Sequence, residues 1–234
     1  MSSEKIYDYH TLVIGGGTAG LTVASGLAKK GKEVLVIEES LLGGHVIHSG
    51  AVPMGALTAA ALEAHTLSSA YRKGLAYEIS GFDGGGALKR LRSIQQKIAE
   101  AYNQDALLKK GIHVLRARGV FIDTHTLSCI LPDGQVRNVT GKNIVIATGS
   151  RPLIPDIKGI ENAPIYTTDT LFDLNELPSH LAIIGGGPTA IELASAFKRL
   201  GSRVTIVSQA KRILMGEEPD GATLIQKKLE QEGC

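Results

Sequence analysis

The feature that most constrains this chain is a segment that occurs twice. Residues 12–38 open on the apolar run Leu12, Val13, Ile14 and pass through Gly15, Gly17 and Gly20 in the spacing G-x-G-x-x-G. They close on a second apolar run, Val34 to Ile37, followed by Glu38. Residues 182–208 repeat the pattern at a constant offset of 170. Gly15 maps to Gly185, Gly17 to Gly187, Gly20 to Ala190, Ala24 to Ala194, Gly31 to Gly201 and Val34 to Val204. Strand, glycine turn, helix and strand in that order make a βαβ unit. A lone G-x-G-x-x-G is a common turn, but two in register, each with its flanking strands and helix, are poorly explained by chance.

The chemistry of such a unit follows from its backbone. The first glycine permits the tight turn, the second lets a pyrophosphate approach, and the third lets helix and strand pack closely. Alanine is permitted at the third position, as at Ala190. The helix starting near Thr18 and Ala19 directs free N–H groups and a partial positive charge at the phosphates. Glu38, 23 residues after Gly15, is placed to accept hydrogen bonds from a ribose diol. Two such units predict an α/β, Rossmann-like fold with two nucleotide cofactors facing each other, one domain over 1–150 and a second over 151–234.

Composition narrows the class. At 234 residues the chain has room for a sizeable core without staples. A net charge of +2 is too small to argue for nucleic acid or an anionic membrane. With no Trp, four Phe and six Tyr, an aromatic platform for bases is not expected. The start, MSSEKIYDYH, lacks the apolar core of a signal peptide, and no run nears the roughly eighteen apolar residues of a membrane span. Cys129 and Cys234 form no C-x-x-C motif, which fits a reducing, cytoplasmic setting and no metal site.

Taken in order, residues 18–30 read as a helix ending at Gly31. Leu41 to Leu57 reads as a loop that leads into an alanine-rich helix to about Arg72, apolar nearly all round and so buried. Gly81 to Gly86 reads as a flexible break. Leu88, Leu91, Ile94, Ile98, Ala101 and Tyr102 mark one amphipathic helix to about Lys110, its stripe plain core. Residues 112–139, with a Pro132-Asp133-Gly134 turn, read as a small antiparallel sheet. Lys142 to Ala147 reads as a further buried strand, ending in Thr148 and Gly149. Four prolines mark 150–180 as a linker with a helical turn around Thr170 to Leu174, and Ala222 to Glu232 reads as a helix.

Two such units separated by a small sheet resemble the flavin-dependent pyridine nucleotide–disulfide oxidoreductases. The best-matching pieces are Leu12–Gly20, Ile144–Gly149 (IVIATG), Leu171–Pro178 (LFDLNELP) and Ile183–Gly201. The resemblance implies that Gly15, Gly17, Thr18, Ala19, Gly20 and Glu38 hold the pyrophosphate and adenosine ribose of FAD. It places Gly43 and Gly44 along the flavin side and Gly119 at the adenine. Ala147, Thr148 and Gly149 would close over the FAD. Gly185, Gly187 and Ala190 would take the pyrophosphate of NAD(P)H, with Glu192 near the nicotinamide and Ser208 at the ribose.

Departures from the family pattern bear on chemistry. The family's loop reads roughly G-G-T-C-x-x-x-G-C-x-P-S-K; here Val46 and Ala51 stand at the cysteine positions and Gly55 at the lysine. Without a thiolate there, no disulfide exchange is expected at that loop, and Glu192 loses its ion-pair partner. Cys129, in the small sheet, and Cys234 are not expected to substitute. The family also continues for about as many residues again, so its later FAD motif and homodimerisation domain are expected to be absent.

Smaller signals complete the reading. His45 and His48 lie near the missing cysteines, with His65 on the next helix, too few and scattered for zinc. His48 is similar to a histidine in the transhydrogenase branch and is the candidate proton donor beside the flavin. Ser208 takes the position of Glu38 in the second unit; with Lys211 and Arg212 nearby, the balance favours NADP(H), the alternative being that both cations are solvated turn residues. Lys89, Arg90 and Arg92 read as a solvated helix face. The expected activity is an FAD-dependent oxidoreductase taking hydride from NAD(P)H. The alternative is a non-catalytic nucleotide-binding module.

Overall fold

A computed structural model describes residues 6–75 and 81–234. The polar start, Met1 to Lys5, lies outside the described residues. The chain divides into two compact units, each discontinuous in sequence: residues up to Ala51 with Gln95–Asp169, and Val52–Ile94 with Thr170–Cys234.

The first unit is built on one six-stranded sheet. Its strands are β1 (Tyr9–Ile14), β2 (Val34–Glu38), β3 (Ile112–Arg116), β4 (Arg118–Phe121), β5 (Thr126–Ile130) and β6 (Val136–Ile146), in the order β3-β2-β1-β6-β5-β4. The first four in that order run parallel; β4, β5 and the start of β6 form an antiparallel meander. Strand alternation sends successive side chains to opposite faces. Leu12, Ile14, Leu35 and Ile37 face Leu127, Cys129 and Val139. Val13, Val34 and Val36 face Leu21 and Ala24 of helix α1 (Thr18–Ala28) and Leu107. Both faces of β1 and β2 are therefore covered, which is why these strands are continuous apolar runs.

The second unit pairs β7 (His180–Ile184) with β8 (Arg203–Val207) in parallel. Its register, Leu181 opposite Val204 through Ile184 opposite Val207, is that of β1 and β2 displaced by 170. Helix α7 (Pro188–Arg199) connects the two strands and buries Leu193, Ala194, Ala196 and Phe197. Met54, Leu57, Ala61 and Ala64, one stripe of helix α3 (Ala51–Ser68), join that core with Leu88 and Leu91 of helix α4 (Gly84–Glu100). Helix α8 (Pro219–Gln231) adds Ala222 and Leu229, both buried.

Several expectations need correction. The supposed loop over 41–57 contains a short helix, α2 (Gly44–His48), and α3 already begins at Ala51. Pro53 falls in the first turn of α3, where its missing N–H breaks no helical bond. Helix α3 is not buried all round, since Leu62 and Leu67 are exposed. Gly84 to Gly86, read as a flexible break, start α4, with Asp83 Oδ1 accepting from Gly86 N–H at 2.8 Å. The long helix to Lys110 is two. Asn103 Oδ1 accepts from Ala106 N–H at 2.8 Å and starts α5 (Gln104–Leu108), an N-cap hidden within the apolar stripe. Ile98, part of that stripe, is exposed. The helical turn expected around Thr170 to Leu174 starts slightly earlier, as α6 (Thr168–Leu171).

Residues 112–116 belong to the parallel sheet rather than the antiparallel one. Apolar runs show that a strand exists, not the direction of its partner. Residues 136–146 are one strand that pairs antiparallel with β5 and then parallel with β1. Gly141 lies at this change of partner, where a Cβ would stand 2.6 Å from Leu12 Cγ. Ile146, read as buried, is exposed. Arg92, read as solvated, donates from Nη1 to the carbonyl of Leu174 at 2.6 Å.

Within the second unit Arg199 pairs bidentately with Glu232, Nε to Oε2 at 2.8 Å and Nη2 to Oε1 at 2.9 Å. This hydrogen bonding holds the Glu232 carboxyl below the usual carboxylate range. A folded-state value below the unfolded one stabilises at neutral pH and is lost as pH falls through the folded value. Glu232→Gln should therefore cost about 1–2 kcal/mol at neutral pH, with the gap to the parent closing below about pH 4, as read by thermal melts across pH.

Candidate nucleotide-binding sites

The first unit builds its candidate site where β1 meets α1. Gly15, at φ 106°, donates its N–H to the carbonyl of Ile37 at 2.8 Å. A Cβ on Gly15 would collide with the carbonyl oxygen of Ala147, and one on Gly20 with that of Gly15. Only glycine allows this turn and this helix approach together. Gly17 caps α1 without a side-chain bond, and the first bond back to it comes from Leu21 N–H at 2.9 Å. The N–H groups of Thr18, Ala19 and Gly20 thus have no partner within the helix, an arrangement suited to a phosphate.

The following loop closes on this turn. Gly43 N–H donates to Gly16 O at 2.8 Å, and Gly43 bridges Gly17. A Cβ on Gly44, at φ 60°, would stand 2.7 Å from Gly17 Cα. Glu38 Oε2 accepts from Gly16 N–H and Oε1 from Ser40 N–H, both at 2.6 Å, so the carboxylate is fixed beside the glycine turn. A cavity of about 300 Å³ opens here, lined by Gly15, Glu38, Gly119 and Thr148 together with Glu39 and Arg118. The last two were not singled out from sequence, because no spacing rule points to a crossing at β4. Ala147 N–H bonds to Ile14 O at 2.8 Å, while Gly149, at φ 70°, lies outside the cavity lining.

The second unit repeats the turn. Gly185, at φ 120°, donates to Val207 O at 2.8 Å, the counterpart of Gly15 and Ile37. Gly187 caps α7 without a side-chain bond. Pro188 replaces Thr18, so this helix offers one N–H fewer. Ala190 is tolerated where Gly20 is obligatory. A Cβ on Gly185 would meet nothing within 4 Å, because among the described residues β7 pairs only with β8. Ser208, at the end of β8, accepts from Ala210 N–H at 3.2 Å. Glu192 still lacks a lysine, but Thr58 Oγ1, one turn after Gly55 on α3, donates to its Oε1 at 3.4 Å. Nothing in the sequence pattern pairs those two helices.

The histidines are held by their own loop. His48 Nε2 is 2.9 Å from Leu42 O, and Gln95 Nε2 donates to His48 O at 2.7 Å. His45 Nδ1 is 2.8 Å from Ser49 Oγ and 4.0 Å from Asp169 Oδ1. Among the described residues no group of three or more His, Cys, Asp or Glu is placed to hold a metal. Val46 and Ala51 are exposed. Burial pushes both thiols, Cys129 and Cys234, above the ordinary range, away from the reactive thiolate. No described helix is long and apolar enough to cross a membrane.

Comparison with known proteins bears on these cradles. A family model described as pyridine nucleotide-disulphide oxidoreductase matches residues 9–234. The chain belongs to this family. Its FAD and NAD(P)H are the cofactors expected from the sequence. Mercuric reductase of Streptomyces lividans is 31% identical over 96% of this chain and 48% of its own length. Dihydrolipoyl dehydrogenase of Geobacillus stearothermophilus is 32% identical over 95% of this chain and 47% of its own. The structure of the HOCl-induced flavoprotein disulfide reductase RclA from Escherichia coli matches with a TM-score of 0.81 at 32% identity, over 96% of this chain and 48% of that one. The chain spans about half the length of the curated relatives it matches.

Glu38 fixes the edge of the first cradle through two backbone N–H groups, so its replacement should be felt there first. Glu38→Arg should weaken FAD retention by about tenfold or more, measured by fluorescence titration. Unchanged retention would remove Glu38 from the ribose site.

Proposed function

We propose that this chain is part of an FAD-dependent oxidoreductase that takes hydride from NAD(P)H and does not use the family's disulfide relay. The observation that carries the reading is the pair of turns in which Gly15 bonds Ile37 and Gly185 bonds Val207 at the same 2.8 Å. The FAD-binding part, expected over residues 1–150, would lie in the first compact unit, and the NAD(P)-binding part, expected over 151–234, in the second.

The residues present fit both cofactors. Collisions awaiting any Cβ at Gly15 and Gly20 keep the first turn open to a pyrophosphate, and the free N–H groups of Thr18 and Ala19 would bind it. Glu38 would hold the adenosine ribose, Gly119 and Thr148 would flank the adenosine end, and Gly43 and Gly44 would keep backbone close to the flavin side. In the second unit Gly185, Gly187 and Ala190 would hold the pyrophosphate of NAD(P)H. Bound FAD supplies the hydride-accepting ring, and the protein supplies position and electrostatics. Thr58 would hold the Glu192 carboxylate in one orientation near the nicotinamide. His48, its Nε2 engaged by the Leu42 carbonyl, keeps Nδ1 for a proton.

With no sulfur at Val46 and Ala51, the acceptor in this reading is a quinone, oxygen or another soluble acceptor rather than a disulfide. A cytoplasmic setting suits two cysteines that form no disulfide. The same two residues favour the second reading, a nucleotide-binding module without turnover. Anaerobic addition of NADPH to the FAD-loaded chain separates the two. Bleaching of the flavin absorbance is expected; a chain that binds FAD but never bleaches would be the binding module.

A further inference from the structure

The loop after β2 must leave the sheet at Glu38 and return, so that Gly43 N–H meets Gly16 O at 2.8 Å. Its polar groups need partners along the way. Ser40 N–H donates to Glu38 Oε1 at 2.6 Å. Leu41 O accepts from Gly44 N–H at 3.2 Å, and Leu42 O lies 2.9 Å from His48 Nε2. The Ser40 carbonyl accepts from Arg116 Nη1, at the end of β3. Within this set, Arg116 is the partner that comes from outside residues 38–48.

The strand register puts Arg116 within reach. β2 and β3 run parallel with Glu38 opposite Arg116, and Ala117 N–H donates to Glu38 O at 3.1 Å. A carboxylate and a guanidinium so placed would ordinarily pair. Here they do not: among the described residues Arg116 makes no ion pair. The Glu38 oxygens take Gly16 N–H and Ser40 N–H instead, and Arg116 takes the loop carbonyl. Each carboxylate oxygen therefore keeps a lone-pair direction that no cation consumes. The second unit meets the same need for a returning loop. Leu214 N–H reaches Gly186 O at 2.7 Å, and Arg212 donates to the carbonyls of Leu214 and Glu217 at 2.5 and 2.9 Å. Among the described residues no third strand lies beside β8, and there the arginine comes from the loop itself. One guanidinium pins each loop.

We infer that Arg116 is a positioning residue for the first cradle: by holding the Ser40 carbonyl it keeps Ser40 N–H on Glu38 Oε1, and so fixes the plane in which the carboxylate meets a ribose diol. This rests on the reading of Glu38 as the acid at the adenosine ribose and adds the residue that keeps it aimed. A carboxylate held by one N–H on each oxygen lies in a single plane and can accept from both hydroxyls of a ribose. Without Arg116 the loop swings away, Oε1 loses its donor, and the carboxylate turns about its last bond.

The test is a flavin fluorescence titration of the full chain with FAD and with the FAD analogue whose adenosine carries a 2′-deoxyribose. The parent should bind FAD about tenfold tighter or more, the gain expected of one hydrogen bond to a charged acceptor. Arg116→Met keeps the aliphatic stem and removes the donors, and it should weaken FAD while bringing the two affinities together. Arg116→Lys, which retains a donor for the Ser40 carbonyl, should restore most of the preference. Equal weakening of both ligands in Arg116→Met with the preference kept, or no change in either, would overturn the assignment while leaving Glu38 at the ribose. Equal affinities for the two ligands in the parent would remove Glu38 from the ribose, and with it the reading on which the assignment rests.

Discussion

Both halves of this chain depend on a single backbone hydrogen bond. The residue that follows the first strand of each βαβ unit is a glycine with positive φ, and its N–H reaches a carbonyl near the end of the second strand. That bond turns the chain sharply enough to aim the following helix back along the sheet. It also leaves the helix N-terminus uncapped by any side chain. A glycine that cannot be replaced and a helix end that is not satisfied are both costs to folding, and a phosphate offsets the second.

The two copies differ where their surroundings differ. In the first unit β1 lies between β2 and β6, so Ala147 crowds Gly15 and helix α1 must come close, which demands Gly20. In the second unit β7 has β8 beside it and the turn is open, so Ala190 fits. Divergence at the strand ends has a different cause. Glu38 accepts from two backbone N–H groups, those of Gly16 and Ser40, whereas Ser208 accepts only from Ala210 N–H. One repeat thus meets the same folding requirement with different chemistry at its strand ends.

The cradles were legible because their requirements are local: glycine spacing, apolar runs and the acid at Glu38 all lie within 27 residues. The parts that escaped the sequence depend on partners far along the chain. Nothing around Ile112 says that it will pair with Val34, and nothing around Arg92 says that it will bind the Leu174 carbonyl. Asn103 was legible in principle, as a capping residue, but its position inside an apolar stripe concealed it. The helix at Gly44–His48 escaped because two glycines ordinarily mark a loop; here they are needed for close approach to Gly17. The Thr58–Glu192 contact was beyond reach, since it joins two helices 134 residues apart.

The central claim is that one polypeptide carries two phosphate-binding turns of the same construction. Equilibrium dialysis of the flavin-free chain against ADP, the moiety common to both cofactors, counts them directly. Two equivalents should bind per chain at saturation. One equivalent, or none, would contradict it.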